Sequence, residues 1–242
     1  MKKPTGYVIY RGPSLINGKP IVVIAIVSSS NVKTGNMVQT YILPDNGMLP
    51  VANAHMLNDE AVCGDCKHRR GTGGSCYVNL GQGVTVVTKS YWLGKYPVGL
   101  YDAMEASRNR MVRLGTYGDP AAAPYEVWEM LLSYAAGWTG YTHQWHRAGL
   151  DARIMQLCMA SVDSDYEHFY AQALGYRTFR VRLADQPLLA KEFACPASEE
   201  QGKRKLCTEC KACDGGIDTA KASPAIIVHG TLKSRFIPIM AA

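Results

Sequence analysis

Three cysteines at successive two-residue gaps, Cys207, Cys210 and Cys213, are the residues of this chain best suited to chemistry. Thiolates spaced C-x2-C-x2-C wrap one short loop around three corners of an iron–sulfur cubane, with a remote Cys-Pro as the fourth. Cys195, followed by Pro196, lies twelve positions upstream and suits that place. The pattern C-x11-C-x2-C-x2-C predicts a [4Fe–4S] cluster on Cys195, Cys207, Cys210 and Cys213. Zinc is the alternative, although a structural zinc more often takes two C-x2-C pairs on separate knuckles. Lys203, Arg204, Lys205 and Lys211 are expected beside the thiolates, where they offset part of the cluster's negative charge.

A second group, Cys63, Cys66 and Cys76, is spaced C-x2-C-x9-C. Gly64, Gly71, Gly73 and Gly74 let its backbone fold tightly. Zinc or a second cluster is expected there, with Cys158, His55 or His68 as the fourth ligand; the alternative is a reduced thiol group that only holds a loop. Cys158 itself stands in an apolar stretch and reads as a small buried hydrophobe. Seven of the eight cysteines fall in these two groups. Lys2-Lys3 is followed by no apolar leader, so metal is favoured over disulfides.

The rest of the composition narrows the class. The chain has 242 residues, 47% hydrophobic and 19% charged, which suits one large domain and excludes a disordered chain. Its longest apolar run, residues 21 to 27, is far short of the roughly 20 residues of a membrane-spanning helix. No membrane association is expected. Net charge is +6. Lys67, Arg69 and Arg70 form a small basic cluster that could meet an anionic partner, but no aromatic residues interleave as a nucleic-acid stacking platform requires.

Residues 1 to 83 read as a β-rich segment carrying the first cysteine loop. Strands are expected at 7–10, 21–27 and 37–43, and the polar connection 28–36, with Lys33, could fold over a ligand. Residues 84 to 242 read as βα units, with the second cysteine loop near the end. Strands are expected at 84–88, 155–160, 177–183, 193–195 and 225–229, and helices at 101–111, 125–136 and 165–175. The fold class is α/β: an antiparallel β segment, then βα units curled into a partial barrel or mostly parallel sheet, read as one compact domain. In such sheets, groups just beyond the strands gather at one mouth. Asp119, Tyr141, His143 and Asp163 are the catalytic candidates there. Lys33, Arg113, Tyr117 and Ser161 are candidates for holding a cofactor or anionic group, and Arg177 for an anion clamp.

The chain resembles a family of uncharacterised bacteriophage proteins. The matching stretches are 12–14, 30–35, the Cys63-Gly64-Asp65-Cys66 loop with Cys76-Tyr77-Val78, 113–120, 140–145, 159–164 and 195–215. A more distant likeness is to the partial βα barrel of radical-SAM enzymes that carry an extra cluster, but their defining C-x3-C-x2-C pattern is absent here. The resemblance implies a phage origin, the host cytoplasm and a shared barrel and cluster; it implies no reaction. Three functions stay open: an iron–sulfur protein with a redox or structural role during infection, an enzyme on a radical-SAM-like barrel, and a zinc-stapled module that binds a host or phage protein or, less favoured, nucleic acid.

Overall fold

The computed structural model describes residues 3–28, 35–47 and 58–237. Lys33, His55 and most of the 28–36 connection lie outside the described residues. The N-terminal apolar run forms the middle of a sheet. β2 (Pro20–Ile26) is buried on both faces from Ile21 onward, as a continuous apolar strand must be. It pairs antiparallel with β1 (Gly6–Pro13) and β3 (Val38–Pro44). Beyond β3 the pairing turns parallel, to β4 (Met111–Tyr117) and then β5 (Gly137–Thr139).

A second sheet is parallel throughout. Its order is β6 (Tyr141–Thr142), β7 (Met159–Val162), β8 (Thr178–Arg182), β10 (Ser223–Ile227), β9 (Glu192–Ala194). Gly140 alone separates β5 from β6, so one extended segment passes from sheet to sheet. There the backbone runs hard against its neighbours: a Cβ on Gly140 would lie 2.6 Å from the Leu157 carbonyl and 2.9 Å from Cys158 Sγ. One apolar cluster joins Ile24, Leu114 and Trp128 to Ala160 and Val162, so both sheets share a core. The fold is α/β, with antiparallel strands first and βα connections after.

Several expected elements differ. Residues 84–88 are helical: a kinked turn at Leu80–Val84 runs into a helix at Thr85–Trp92. Val84, Val87 and Thr88 are buried at helical spacing, and Thr88 Oγ1 donates to the Val84 carbonyl at 2.8 Å. That back-bond to the preceding turn has no counterpart in a strand, so local geometry overrides the β-branched composition. The helix expected over 101–111 covers Leu100–Ala106, because Asn109 turns the chain at φ 57° and Met111 opens β4 instead. The 125–136 helix stops at Leu132. The 155–160 run splits into a helical turn, Ile154–Leu157, and β7 four residues later than expected. An apolar run that short carries no period to tell helix from strand.

The second sheet is tied by a buried ion pair. The Arg180 guanidinium meets Glu192 through Nε–Oε1 at 2.8 Å and Nη2–Oε2 at 2.7 Å, and both side chains are essentially inaccessible. Arg180 also donates to Asp165 Oδ1 at 3.1 Å, drawing in the start of the helix Asp165–Ala173. Removing one member of a buried pair leaves an uncompensated charge. Arg180→Leu is expected to lose ~3–5 kcal/mol of stability in urea denaturation, and Arg180→Leu/Glu192→Leu to recover most of it. A single variant within 1 kcal/mol of the parent would refute this.

Candidate functional site

The four C-terminal thiols come from three places and meet. Cys195 extends β9, its N–H donating to the Ala225 carbonyl at 2.8 Å. Cys207 and Cys210 sit on one helical turn, Cys207–Cys210, which Lys211 ends at φ 54°. Cys213 follows, and its carbonyl accepts from the Gly140 N–H at 3.2 Å, where the chain crosses between sheets. Cys195, Cys207, Cys210 and Cys213 line one concavity with Thr139 and Tyr141.

Arg177 holds this loop down. Its Nη1 donates to Asp214 Oδ1 at 2.9 Å and the Gly215 carbonyl at 3.0 Å, and its Nη2 to the carbonyls of Ala212 at 2.8 Å and Ala222 at 3.1 Å. The anion that Arg177 clamps is thus the chain's own Asp214.

The electrostatics suit thiolates only where cations or donors face them. Burial pushes Cys213 up to about 12, against the hydrogen bond its sulfur accepts from Tyr141; the other three thiols push it further up. Burial likewise raises Cys195 and Cys207. The backbone N–H of Ala197 donates to the Cys195 sulfur and opposes the rise. Arg113 is the half-buried cation here. Its Nη2 donates to the Tyr77 hydroxyl at 2.8 Å, and its charge lowers both Cys195 and Cys207. Lys203, Arg204 and Lys205, expected beside the thiols, are exposed, and only Lys211 lines the concavity.

The first cysteine group is pinned to the strand ends. Gln144, fully buried just past β6, donates from Nε2 to the Cys63 carbonyl at 3.1 Å and to Asp65 Oδ1 at 2.9 Å. Gly64 lies between them at φ 59°, and a Cβ there would collide with the Gln144 amide at 2.4 Å. Burial raises the Cys63 thiol well above its ordinary value, and Cys66 and Cys76 raise it further. The Cys66 sulfur accepts from the His68 N–H, and Cys76 from Val78. Tyr117 stands against Cys63, Asp59 and Cys76. Two of the expected fourth ligands do not join: Cys158 is buried beside Gly140, and the His68 ring is turned to Asp163; His55 lies outside the described residues.

The single mouth expected from Asp119, Tyr141, His143 and Asp163 divides in two. Tyr141 belongs to the C-terminal thiols, because its hydroxyl meets Cys213. Asp119 acts on backbone: its carboxylate accepts from the N–H groups of Ala121 at 3.0 Å and His143 at 2.8 Å. Burial pushes it up to about 6. His143 and Asp163 do converge, His143 Nε2 lying 3.9 Å from Asp163 Oδ2. Burial pushes His143 down to about 4, so its ring is neutral. For Asp163, burial acts upward, and His68, His143 and Lys67 outweigh it and hold the carboxyl low. Ser161 is buried in β7, its carbonyl taking the Trp145 indole N–H at 3.0 Å.

Two features had no local signal: His68 as a neighbour of Asp163, and Gln144 as the anchor of the first cysteine turn. The basic cluster is engaged within the chain. Lys67 pairs with Glu167 at 3.0 Å, Arg69 lies 3.5 Å from Asp59, and Arg70 donates to the Val78 carbonyl at 2.8 Å. A cavity of about 320 Å³ is lined by Leu15, Ile16, Tyr125, Arg147 and Leu150 among others, and none of the cysteines borders it. No family model, curated protein or solved structure matches the chain.

Cys158 is fully buried, and burial holds its thiol protonated. Cys158→Ala is expected to leave metal content unchanged and to lose about 1 kcal/mol from packing. Metal analysis with urea denaturation checks both; loss of metal would make Cys158 a ligand.

Proposed function

We propose that this is an iron–sulfur protein in which Cys195, Cys207, Cys210 and Cys213 hold one [4Fe–4S] cluster. One observation carries the proposal: four thiols from three places line one concavity, with the Tyr141 hydroxyl on Cys213 and the Arg113 charge acting on Cys207. The donor set fits. N–H and O–H donors to sulfur, and a nearby cation, stabilise a cluster held by thiolates. Spacing favours iron over zinc. Tetrahedral zinc at about 2.3 Å from each sulfur holds the sulfurs about 3.8 Å apart. Among the described residues the one group of three candidate ligand atoms within 4.8 Å contains no cysteine. A cubane gives each thiolate its own iron and so accepts wider spacing.

When bound, the cluster supplies one-electron transfer, and with cysteine on every iron none is open to substrate. Its role is then redox or structural. The bacteriophage resemblance extends the proposal to a role during infection in the host cytoplasm. No helix among the described residues is long and apolar enough to cross a membrane.

A second reading, an enzyme on a radical-SAM-like barrel, is favoured by Cys63, Cys66 and Cys76. These three thiols neighbour one another beside Asp119, near the carboxyl ends of the parallel strands. Three thiolates would leave one iron of a second cluster open; zinc would be the other occupant. Reductive cleavage of S-adenosylmethionine by the purified protein would support this reading, and none would remove it.

Purified without oxygen, the protein is expected to be brown and to carry about four irons per chain. Cys195→Ala, Cys207→Ala, Cys210→Ala and Cys213→Ala should each lose most of that iron. Colourless protein with stoichiometric zinc alone would overturn the proposal in favour of the zinc-stapled module. Iron lost only from Cys63, Cys66 and Cys76 variants would put the cluster in the other loop.

Tyr141→Phe keeps the ring and removes the hydrogen bond to Cys213. It should retain iron and move the reduction potential downward, since a donor to sulfur favours the reduced, more negative cluster. An unchanged potential would separate Tyr141 from the cluster.

A further inference from the structure

We infer that His68, His143 and Asp163 form a binding site for a first-row divalent metal ion, zinc or ferrous iron, distinct from both cysteine groups. Asp163 Oδ2 lies 2.7 Å from His68 Nε2 and 3.9 Å from His143 Nε2, and one ligand atom from each residue falls within 4.8 Å of the others. Ligands about 2.0–2.2 Å from one ion stand roughly 3.0–3.5 Å apart, and the two measured spacings bracket that range.

The pairing of His68 with Asp163 does not account for His143. Asp163 Oδ2 meets His68 Nε2 and Lys67 Nζ, but His143 Nε2 and Asp163 Oδ1 are buried without a hydrogen-bond partner. The Asp163 side chain is only 1% exposed. Buried polar atoms are rarely left so, and an ion held between the two rings and the carboxylate gives His143 its partner.

The other edge of the His68 ring is occupied. His68 Nδ1 meets Ser75 Oγ at 2.7 Å, which leaves Nε2 to the ion when Nδ1 carries the proton. Phe236 stacks on that ring with centroids 5.6 Å apart. The backbone under the other two ligands is fixed: the His143 amide N–H donates to Asp119 Oδ2 at 2.8 Å, and that of Asp163 to Glu167 Oε2 at 2.7 Å. Two imidazoles and one carboxylate on one side of an ion are the donor set of open zinc and non-haem iron sites. His143 and Asp163 follow β6 and β7, the end of a parallel sheet where ligands bind.

Two neighbours sharpen the inference. Lys67 Nζ lies 3.3 Å from Asp163 Oδ2 and opposes a cation, but it has Glu167 as a second partner at 3.0 Å. A relay from Ser75 through His68 to Asp163 is the competing arrangement. It gives no part to His143, whose Nε2 also faces Asp163 Oδ2.

The test adds Zn2+ to the full chain purified without oxygen, and reads bound zinc by equilibrium dialysis and its ligand shell by zinc-edge X-ray absorption. A nitrogen and oxygen shell at about 2.0–2.1 Å is expected. His143→Ala and Asp163→Asn should each weaken that zinc by more than about 100-fold, and Ser75→Ala by about 10–100-fold. Lys67→Gln should tighten it. His143 is 28% exposed, so its replacement spares the core, and circular dichroism confirms the fold of each variant. Zinc found only in a sulfur shell near 2.3 Å, or affinity unmoved in both ligand variants, would overturn the site. Iron measured on the same samples keeps this outcome separate from that of the cluster.

Discussion

The Arg177 guanidinium decides whether this chain has a thiol site at all. The loop from Cys207 to Gly215 has one short helical turn and no strand, so its own backbone cannot set its position. Arg177, 3% exposed, gathers three carbonyls and the Asp214 carboxylate around its fork. Its backbone N–H also donates to the Gly216 carbonyl. Arg177 directly precedes β8, so the sheet anchors the clamp. A guanidinium presents its donors in a rigid plane, and several carbonyls can be bound at once without flexing. Cys213 is thereby placed against Tyr141 and Gly140.

The same solution recurs at the other thiols and along the sheet. Gln144 bonds one cysteine turn to the end of β6. Arg180 and Glu192 bind β8 to the start of β9. In each case a buried polar side chain on or beside a strand satisfies irregular backbone or a buried charge that no ladder could reach. Loops that carry several thiols cannot bury much apolar surface, so polar fastening takes the place of packing.

Two chemically different centres follow. Around Cys195, Cys207 and Cys213 burial raises the thiols, and a half-buried cation and a phenol oppose the rise. Beyond β6 and β7, neutral imidazole and an ionised carboxylate face each other instead. The shared fold separates them along one segment: Tyr141 lies within β6 and meets Cys213, while His143 lies past the end of that strand and meets Asp163.

Much of this was legible in the sequence where the signal is local. The spacing of Cys207, Cys210 and Cys213, the Cys195-Pro196 pair, the apolar run of β2 and the cap before the helix Asp165–Ala173 each lie within a few residues. So the α/β class and both cysteine groups could be read directly. Only the tertiary structure decided that Tyr141 joins the thiols, that Arg113 rather than the exposed lysines is their cation, and that residues 85–92 are helical. It alone brought His68 to Asp163. Those partners lie far apart in the chain, and one sequence records which residue types are present but not which side of a strand or turn they leave from. That is set by register, by the crossing at Gly140 and by the pinning of the first cysteine loop, and each of these exists only once the sheets have formed.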